Sequence, residues 1–425
     1  MLRDRGGVTL LIYALALPVL LGFTGLAVEV GDWYVVQEKL QTAADAGALA
    51  GAWELKAGGS AAQAIAVAKE AIAKNAATPS AIAVTTPPTS GAYAGDSEAV
   101  QVSLDQQQQP LFSGVFHLAA FDISAAAVAK LQAADNACLL ALDSSNDAGA
   151  VTLNGNVNVQ FGNCVMASNS SNPSDAILIN GNATFDGKSI VTVGNYETNG
   201  DVSVTLAQPA VTDSTPVADP FANLNISSPT GCDYNGTQNY NSSAVLQPGT
   251  YCGGINVNGS ATVTLEPGTY YIDGGNLIFN GNSTVQCDCA TPGSGVTFVF
   301  TNQGGNGQTG TVTMNGDVTM NLQAPTDTSN PSAYPYPGML FAQDRNGEQG
   351  QNATFNGNVN SVLEGAMYFP NGDVVLNGNL SNASNCTEMI AWQVIMNGNA
   401  GFATTANCAA AAITPLVVTD VQLVQ

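Results

Sequence analysis

Positive charge is nearly missing from this chain. Lys and Arg together number 9 against 32 Asp and Glu, giving a formal net charge of −23 over 425 residues. Beyond Cys138 the only cations are Lys188 and Arg345. Such a surface repels phosphate backbones, so nucleic acid is not an expected partner, and an anionic polysaccharide is a poor candidate for a tight ligand. The shortage also bears on catalysis. A polysaccharide lyase needs a Lys or Arg base, and Lys188 and Arg345 are far apart in the sequence. A glycosidase needs two carboxylates within roughly 5–10 Å. The densest charge cluster, Asp344, Arg345 and Glu348, sits in AQDRNGEQGQN, which reads as an exposed loop, and Asp213, Asp219 and Asp233 are scattered among prolines and glycines. His117 is the one histidine and lies in the apolar stretch GVFHLAAF, where a structural role is expected. Nucleophile elbows, phosphate-binding glycine loops and zinc-protease helices are lacking. The expectation is a protein that is not an enzyme and holds no metal or cofactor.

No cysteine precedes residue 138, and eight follow: Cys138, Cys164, Cys232, Cys252, Cys287, Cys289, Cys386 and Cys408. An even number confined to one region suggests disulfides in an oxidising compartment. Nearest-neighbour pairing is expected, as Cys138–Cys164, Cys232–Cys252, Cys287–Cys289 and Cys386–Cys408. Zinc is the alternative at Cys287-Asp-Cys289, but no second tight pair accompanies it.

What the chain has in quantity is Asn-Gly. Asn-Gly-Asn, or Asn-Gly followed by Asp or Ser, occurs at Asn154, Asn180, Asn199, Asn258, Asn280, Asn315, Asn356, Asn371, Asn377 and Asn397. Most copies are flanked by β-prone residues, as in VTLNGNVNVQF, LIFNGNSTVQC and VVLNGNLSNAS. Asn-Gly between strands is also a hairpin signal, but a meander would turn every ~8–12 residues. Here Asn154 to Asn180 is 26 residues, Asn180 to Asn199 is 19, Asn258 to Asn280 is 22, Asn356 to Asn377 is 21 and Asn377 to Asn397 is 20. That period is one coil of a stacked solenoid. A single-stranded right-handed parallel β-helix is expected, ahead of a β-sandwich or a propeller. Asn and Gly would sit at the corners because both tolerate positive φ, and stacked Asn side chains could form a ladder. A second motif, LQPGTY at 246–251, returns as LEPGTY at 265–270.

No charge occurs between Arg5 and Glu29. This stretch is long enough, as a helix, to cross a hydrocarbon core of about 30 Å. Arg3 and Arg5 place the amino end in the cytoplasm, and Pro18 is tolerated in a membrane helix. A cleaved signal peptide is the rival, with Leu10 to Phe23 as its apolar region and Gly25-Leu26-Ala27 as its cleavage site. Against it, one small or apolar face continues through Leu55. Trp33 and Tyr34 fall where an interfacial aromatic belt would lie. Past Gly58-Gly59-Ser60, a second helix is expected from about Ala61 to Ala76, then a strand around Val100, Val102 and Leu104, a loop at 106–110, and a further segment from Phe121 to Leu131. The domains expected are an anchor and helical stalk at 1–57, a small α/β module at 58–135 and a β-solenoid at 138–425.

The segment RGGVTLLIYALALPVLLGFTGLAVEVGDWYVVQEKLQTAADAGALAGAWEL resembles the amino-terminal segment of TadG-like tight-adherence (Flp pilus) assembly proteins. The matching parts are the Arg-Gly-Gly entry, the Pro-containing apolar span, Glu29-Val30-Gly31, Trp33-Tyr34 and LQTAADAGALAGA, while FDISAAAVAK is similar to the element that closes that domain. The carboxyl region, through CLLALDSSNDAGAVTLNGN, PGTY and EGAMYFP, is similar to the Gly/Asn-rich extension of some of these proteins. Two features depart from related patterns. Prepilins carry Glu five residues after the cleaved glycine, whereas Ile12 and Leu11 stand at that distance from Gly7 and Gly6. Asp143-Ser144-Ser145-Asn146-Asp147 begins like a von Willebrand factor A metal motif but ends in Asp, and reads instead as a turn opening the solenoid. The resemblance implies a non-catalytic component of Flp pilus assembly that supports surface adhesion. It would be a single-pass protein of the bacterial inner membrane, amino end in and bulk periplasmic or extracellular. Its expected partners are the cytoplasmic membrane, other Tad assembly proteins, and surface or envelope glycans. A carbohydrate-binding adhesin unrelated to pili is the alternative, with a polysaccharide-active enzyme behind it.

Overall fold

The computed structural model describes residues 6–75, 78–117, 119–302, 308–358, 360–379, 381–384, 386–404 and 416–424. The chain divides into two units, 1–134 with 419–425, and 135–418.

The first unit is α/β. Helix α1 runs Gly6–Lys56 without a break at Pro18. Helix α2, Ala61–Lys74, starts at a capping box: the Ser60 side chain accepts from the Gln63 backbone N–H, and the Gln63 side chain accepts from the Ser60 N–H. Such reciprocal capping satisfies two orphan donors of the first turn. Three strands follow, β1 (Ala81–Thr85), β2 (Ala99–Gln108) and β3 (Phe121–Ala141), and β2 pairs antiparallel with both of the others. Small residues let α1 lie close to its neighbours. A Cβ at Gly47 would stand 2.7 Å from Ile72 of α2, and one at Gly51 would stand 2.9 Å from Val100 of β2.

The carboxyl half of α1 is therefore not a separate stalk. Leu40, Ala44, Ala48 and Ala52 share one core with Ile72, Val102, Ile123 and Val421. The chain's last strand, Leu416–Leu423, contributes Val421 to that core, and Val424 N–H donates to the Val128 carbonyl. The expected boundary at 57 falls inside one unit, the division near 135 is that between the two units, and the solenoid stops short of residue 425.

The second unit is a parallel solenoid with three strand positions per coil. In one coil, Val374–Gly378 is followed by Ser381–Ser384 and Thr387–Ala391, and the next coil begins at Val394–Gly398. Each strand pairs parallel with its counterpart in an adjacent coil. Alternate residues of the Asn-Gly strand point inward, as Val374 and Leu376 do, while Thr387–Ala391 is buried throughout.

The Asn-Gly copies share one register. Asn154 is opposite Asn180, which is opposite Asn199. Asn280 faces Asn315, then Asn356, Asn377, Asn397 and Asn154 in succession. The last of these pairings was hidden in the sequence: the carboxyl-terminal coil stacks on the amino-terminal one. The solenoid therefore begins in space at Tyr234, winds to Thr404, and continues into the coils of residues 137–206. Residues 207–233 return the chain from one end of the stack to the other.

The Asn side chains form a ladder up the coils. Asn258 donates to Asn241, Asn280 to Asn258, Asn315 to Asn280, Asn356 to Asn315, Asn377 to Asn356 and Asn397 to Asn377, over 2.8–3.2 Å. A second ladder, two residues on, links Asn182, Asn156, Asn399, Asn379 and Asn358 to Asp317. The corner reading needs one correction. Positive φ belongs to the glycine of each stacked pair and not to the asparagine, while Gly372 after Asn371 lacks it; among the described residues, the non-Gly positions with positive φ are His117 and Asp213. Asn371 lies outside the ladder, its side chain donating to the Asp344 carbonyl.

Gly357 shows why glycine is required. Its φ is +95°, and a Cβ there would stand 2.5 Å from the Gly316 carbonyl oxygen of the neighbouring coil. The left-handed backbone alone costs a residue with a Cβ about 1–2 kcal/mol. Gly357→Ala is expected to lower solenoid stability by at least that amount in denaturant unfolding, whereas Thr354→Ala on the same strand should stay within about 0.5 kcal/mol.

Candidate functional site

The first half of α1 is built to leave water. Ile12, Leu15, Leu17, Leu20, Leu21 and Phe23 are each more than half exposed, and the helix is long and apolar enough to cross a membrane. Pro18 faces outward on this stretch. Arg3 and Arg5 lie outside the described residues.

The first acid past the span, Glu29, is fully buried. The loop Pro110–Phe116 wraps over it. Leu111 and Ser113 donate their backbone N–H to the Glu29 carboxylate at 2.8 Å each, and the Ser113 hydroxyl donates at 2.6 Å. Charge-assisted hydrogen bonds of this kind are among the stronger ones. Phe112 of the loop lies against Gly25, where a Cβ would stand 2.9 Å from the ring. Loop and helix together line an apolar groove of about 810 Å³ that includes Pro18, Gly22, Leu26, Phe112 and Val115. One turn on, Trp33 meets Phe121 edge to face at 4.7 Å between ring centroids and packs on the module core, so it is a structural residue. Tyr34 is exposed.

The solenoid's candidate residues are spent on structure. Arg345 and Asp219 form an ion pair, and both bond the Tyr368 hydroxyl, which donates to Asp219 at 2.9 Å. Burial, above all, pushes the Tyr368 phenol up from its ordinary pKa. Asp219 lies in the 207–233 return, and neighbouring residues of the return dock too. Phe221 packs edge to face on Tyr368, the Asn169 side chain pairs with the Val217 backbone, and Ser227 N–H donates to the Tyr336 hydroxyl. The Arg345 loop is thus a clasp for this strap, not a free surface loop. Asp143 is buried and accepts from the Ser145 N–H and the Gln393 side chain, and no cluster of potential metal ligands occurs among the described residues. Asp233 accepts from the Thr250 N–H.

Disulfides join Cys138 to Cys164, Cys232 to Cys252 and Cys287 to Cys289. The last takes up the pair weighed for zinc. Cys386 is buried, and Cys408 lies outside the described residues. The PGTY repeat has its own logic. Tyr251 and Tyr270 are buried, and each hydroxyl donates to the carbonyl four residues back, of Gln247 and Glu266.

Sequence reasoning missed the partner of Glu29 and the partner of Arg345. Each lies far off in the sequence, with several helices or strands between. The one available signal was their isolation: a lone acid closing an apolar span, and a lone cation in an acidic region.

No curated protein and no solved structure matches the chain. A family model does match, over residues 6–54, and it is the Flp pilus-assembly TadE/G-like model, Tad. That stretch lies wholly within α1, so the match to the TadE/G-like Flp pilus-assembly domain falls on the helix that carries the apolar span and closes the module core.

Proposed function

We propose that this protein is a membrane-anchored structural component of Flp pilus assembly, whose non-catalytic solenoid supports surface adhesion outside the cytoplasmic membrane. The observation that carries the reading is the Tad match on α1, a helix exposed and apolar in its first half and buried in a folded core in its second. The chain leaves the first unit near residue 135 and returns to it at 419, so the solenoid is tethered at both ends of its sequence. Two tethers suit an element that bears load. The ion pair, the buried carboxylates and the disulfides all serve the fold, which supports a mechanical role over a chemical one.

Deleting the gene is expected to abolish pili and surface attachment while leaving extracellular polymer-degrading activity unchanged. Re-expression of the full chain restores both, and a chain whose span is interrupted by Leu17→Arg does not, since a central charge costs about 2.5–3.5 kcal/mol of insertion. Normal piliation in the deletion strain defeats the reading. Turnover of a uronate polymer or glycan by the purified protein defeats its non-catalytic part.

A further inference from the structure

We propose that the loop Pro110–Phe116 is a second membrane contact, a hook seated in the same lipid layer as the distal part of the α1 span. The inference rests on the anchor reading and adds a site to it.

Exposure comes first. Leu111 is 59% exposed, Phe112 50% and Val115 75%, and they sit beside exposed Leu21, Phe23 and Leu26 of the span. Contiguous apolar surface of this kind is uncommon on a soluble protein and marks a binding or membrane face. The patch is continuous with helix surface that the anchor already places in lipid, so lipid is the occupant it fits.

Glu29 supplies the second argument. Irregular backbone is excluded from a hydrocarbon layer because its N–H groups find no acceptors there. This loop brings its own acceptor: the amides of Leu111 and Ser113 and the Ser113 hydroxyl are all taken by the Glu29 carboxylate. The exchange serves both sides. The carboxylate is hidden from lipid beneath the loop, which gives it the donors of Leu111 and Ser113, while the Val115 N–H donates to the Phe112 carbonyl. What remains outward is Leu111, Phe112 and Val115.

The test uses the full-length protein in its own cell membrane, with the photoreactive residue p-benzoylphenylalanine placed singly at Val115, at Leu20 of the span, or at Val245 on the exposed face of the solenoid. After irradiation, a covalent phospholipid adduct is expected by mass at Leu20 and Val115 and not at Val245. An adduct at Leu20 without one at Val115 overturns the hook and leaves the anchor standing. A protein adduct at Val115 also overturns it, by showing that the groove houses a partner helix. No adduct at Leu20 removes the anchor itself, and the hook with it. Should the Val115 variant lose the proteolytic pattern of the parent, the probe at Leu111 decides by the same outcomes.

Discussion

A chain ending at Asn371 is expected to lose protease resistance at residues 137–206, the part of the solenoid farthest from the cut in sequence. The coil of 353–369 loses its neighbour at 374–391 as well and should fray beside the cut, while residues 234–323 should remain protected. The reason is the order of stacking. Val394–Gly398 is the neighbour of Val151–Gly155, Met389 and Ile390 pair with Leu139 and Leu140, and Phe402 pairs with Val159. The cut removes all three contacts at once. It uncovers Leu139, Val151, Leu153, Val159 and Phe161, each fully buried in the intact protein, and it deletes the ring contact of Phe161 with Phe402 at 5.9 Å. At about 1.5–3 kcal/mol for each large apolar side chain returned to water, the loss for partial re-exposure is on the order of 5 kcal/mol. Nearest-neighbour coupling confines that loss to the coils beside the break. Coils stacked in chain order would behave differently: the cut would fray only the coil beside it and leave 137–206 untouched. Limited proteolysis with fragment identification by mass separates the two. Equal resistance of 137–206 in both chains would refute the stacking.

Much of the solenoid was legible because its repeat is a physical one. Each Asn-Gly copy but the one at Asn371 marks a place where a coil must turn with positive φ beside the next coil, so Gly fits best, and the Asn before it takes a register position in the stack. The five near-periodic intervals correspond to five adjacent coil pairs. Order was not legible. VTLNG at 151–155 and VIMNG at 394–398 both present two apolar residues inward, and so do most other copies; similarity shows that two strands can stack, not that they do. The strap was hidden for a related reason. Asp219 and Arg345 are 126 residues apart, and nothing local to AQDRNGEQGQN says that a Pro-containing return will lie over it. In the first unit, the apolar run and the helical face through Leu55 were plain. The burial of Glu29 was not, since its acceptor role depends on a loop more than eighty residues on. Val421 in the module core was equally unreadable, because a short apolar tail looks the same whether it caps a solenoid or crosses to another unit.

Phe341→Ala is expected to cost about 3–5 kcal/mol, among the largest single-residue losses in the solenoid. Aromatic rings stack along one inner face: Tyr234 on Tyr251 at 4.3 Å between centroids, Tyr251 on Tyr270 at 6.0 Å, Tyr270 on Phe298 at 5.4 Å and Phe298 on Phe341 at 5.6 Å. Phe341 is the ring where this column meets Phe300 and Phe369, at 6.5 and 6.2 Å. It is fully buried, so truncation leaves a cavity bounded by three other rings that are each pinned in a strand. Those strands are held by ladder hydrogen bonds to coils on both sides, which limits how far they can relax into the space. Ring–ring contacts beyond simple burial add about 0.5–1.5 kcal/mol each, so the loss should lie toward the upper end. Phe341→Leu restores most of the volume but none of the ring contacts and should recover about half. Because coupling in a solenoid is between neighbours, amide exchange should quicken at Phe298, Phe300 and Phe369 while protection at Ile179 and Phe185, several coils away, is unchanged. Faster exchange spread evenly from Phe298 to Phe185 would show that the solenoid unfolds as one cooperative block instead.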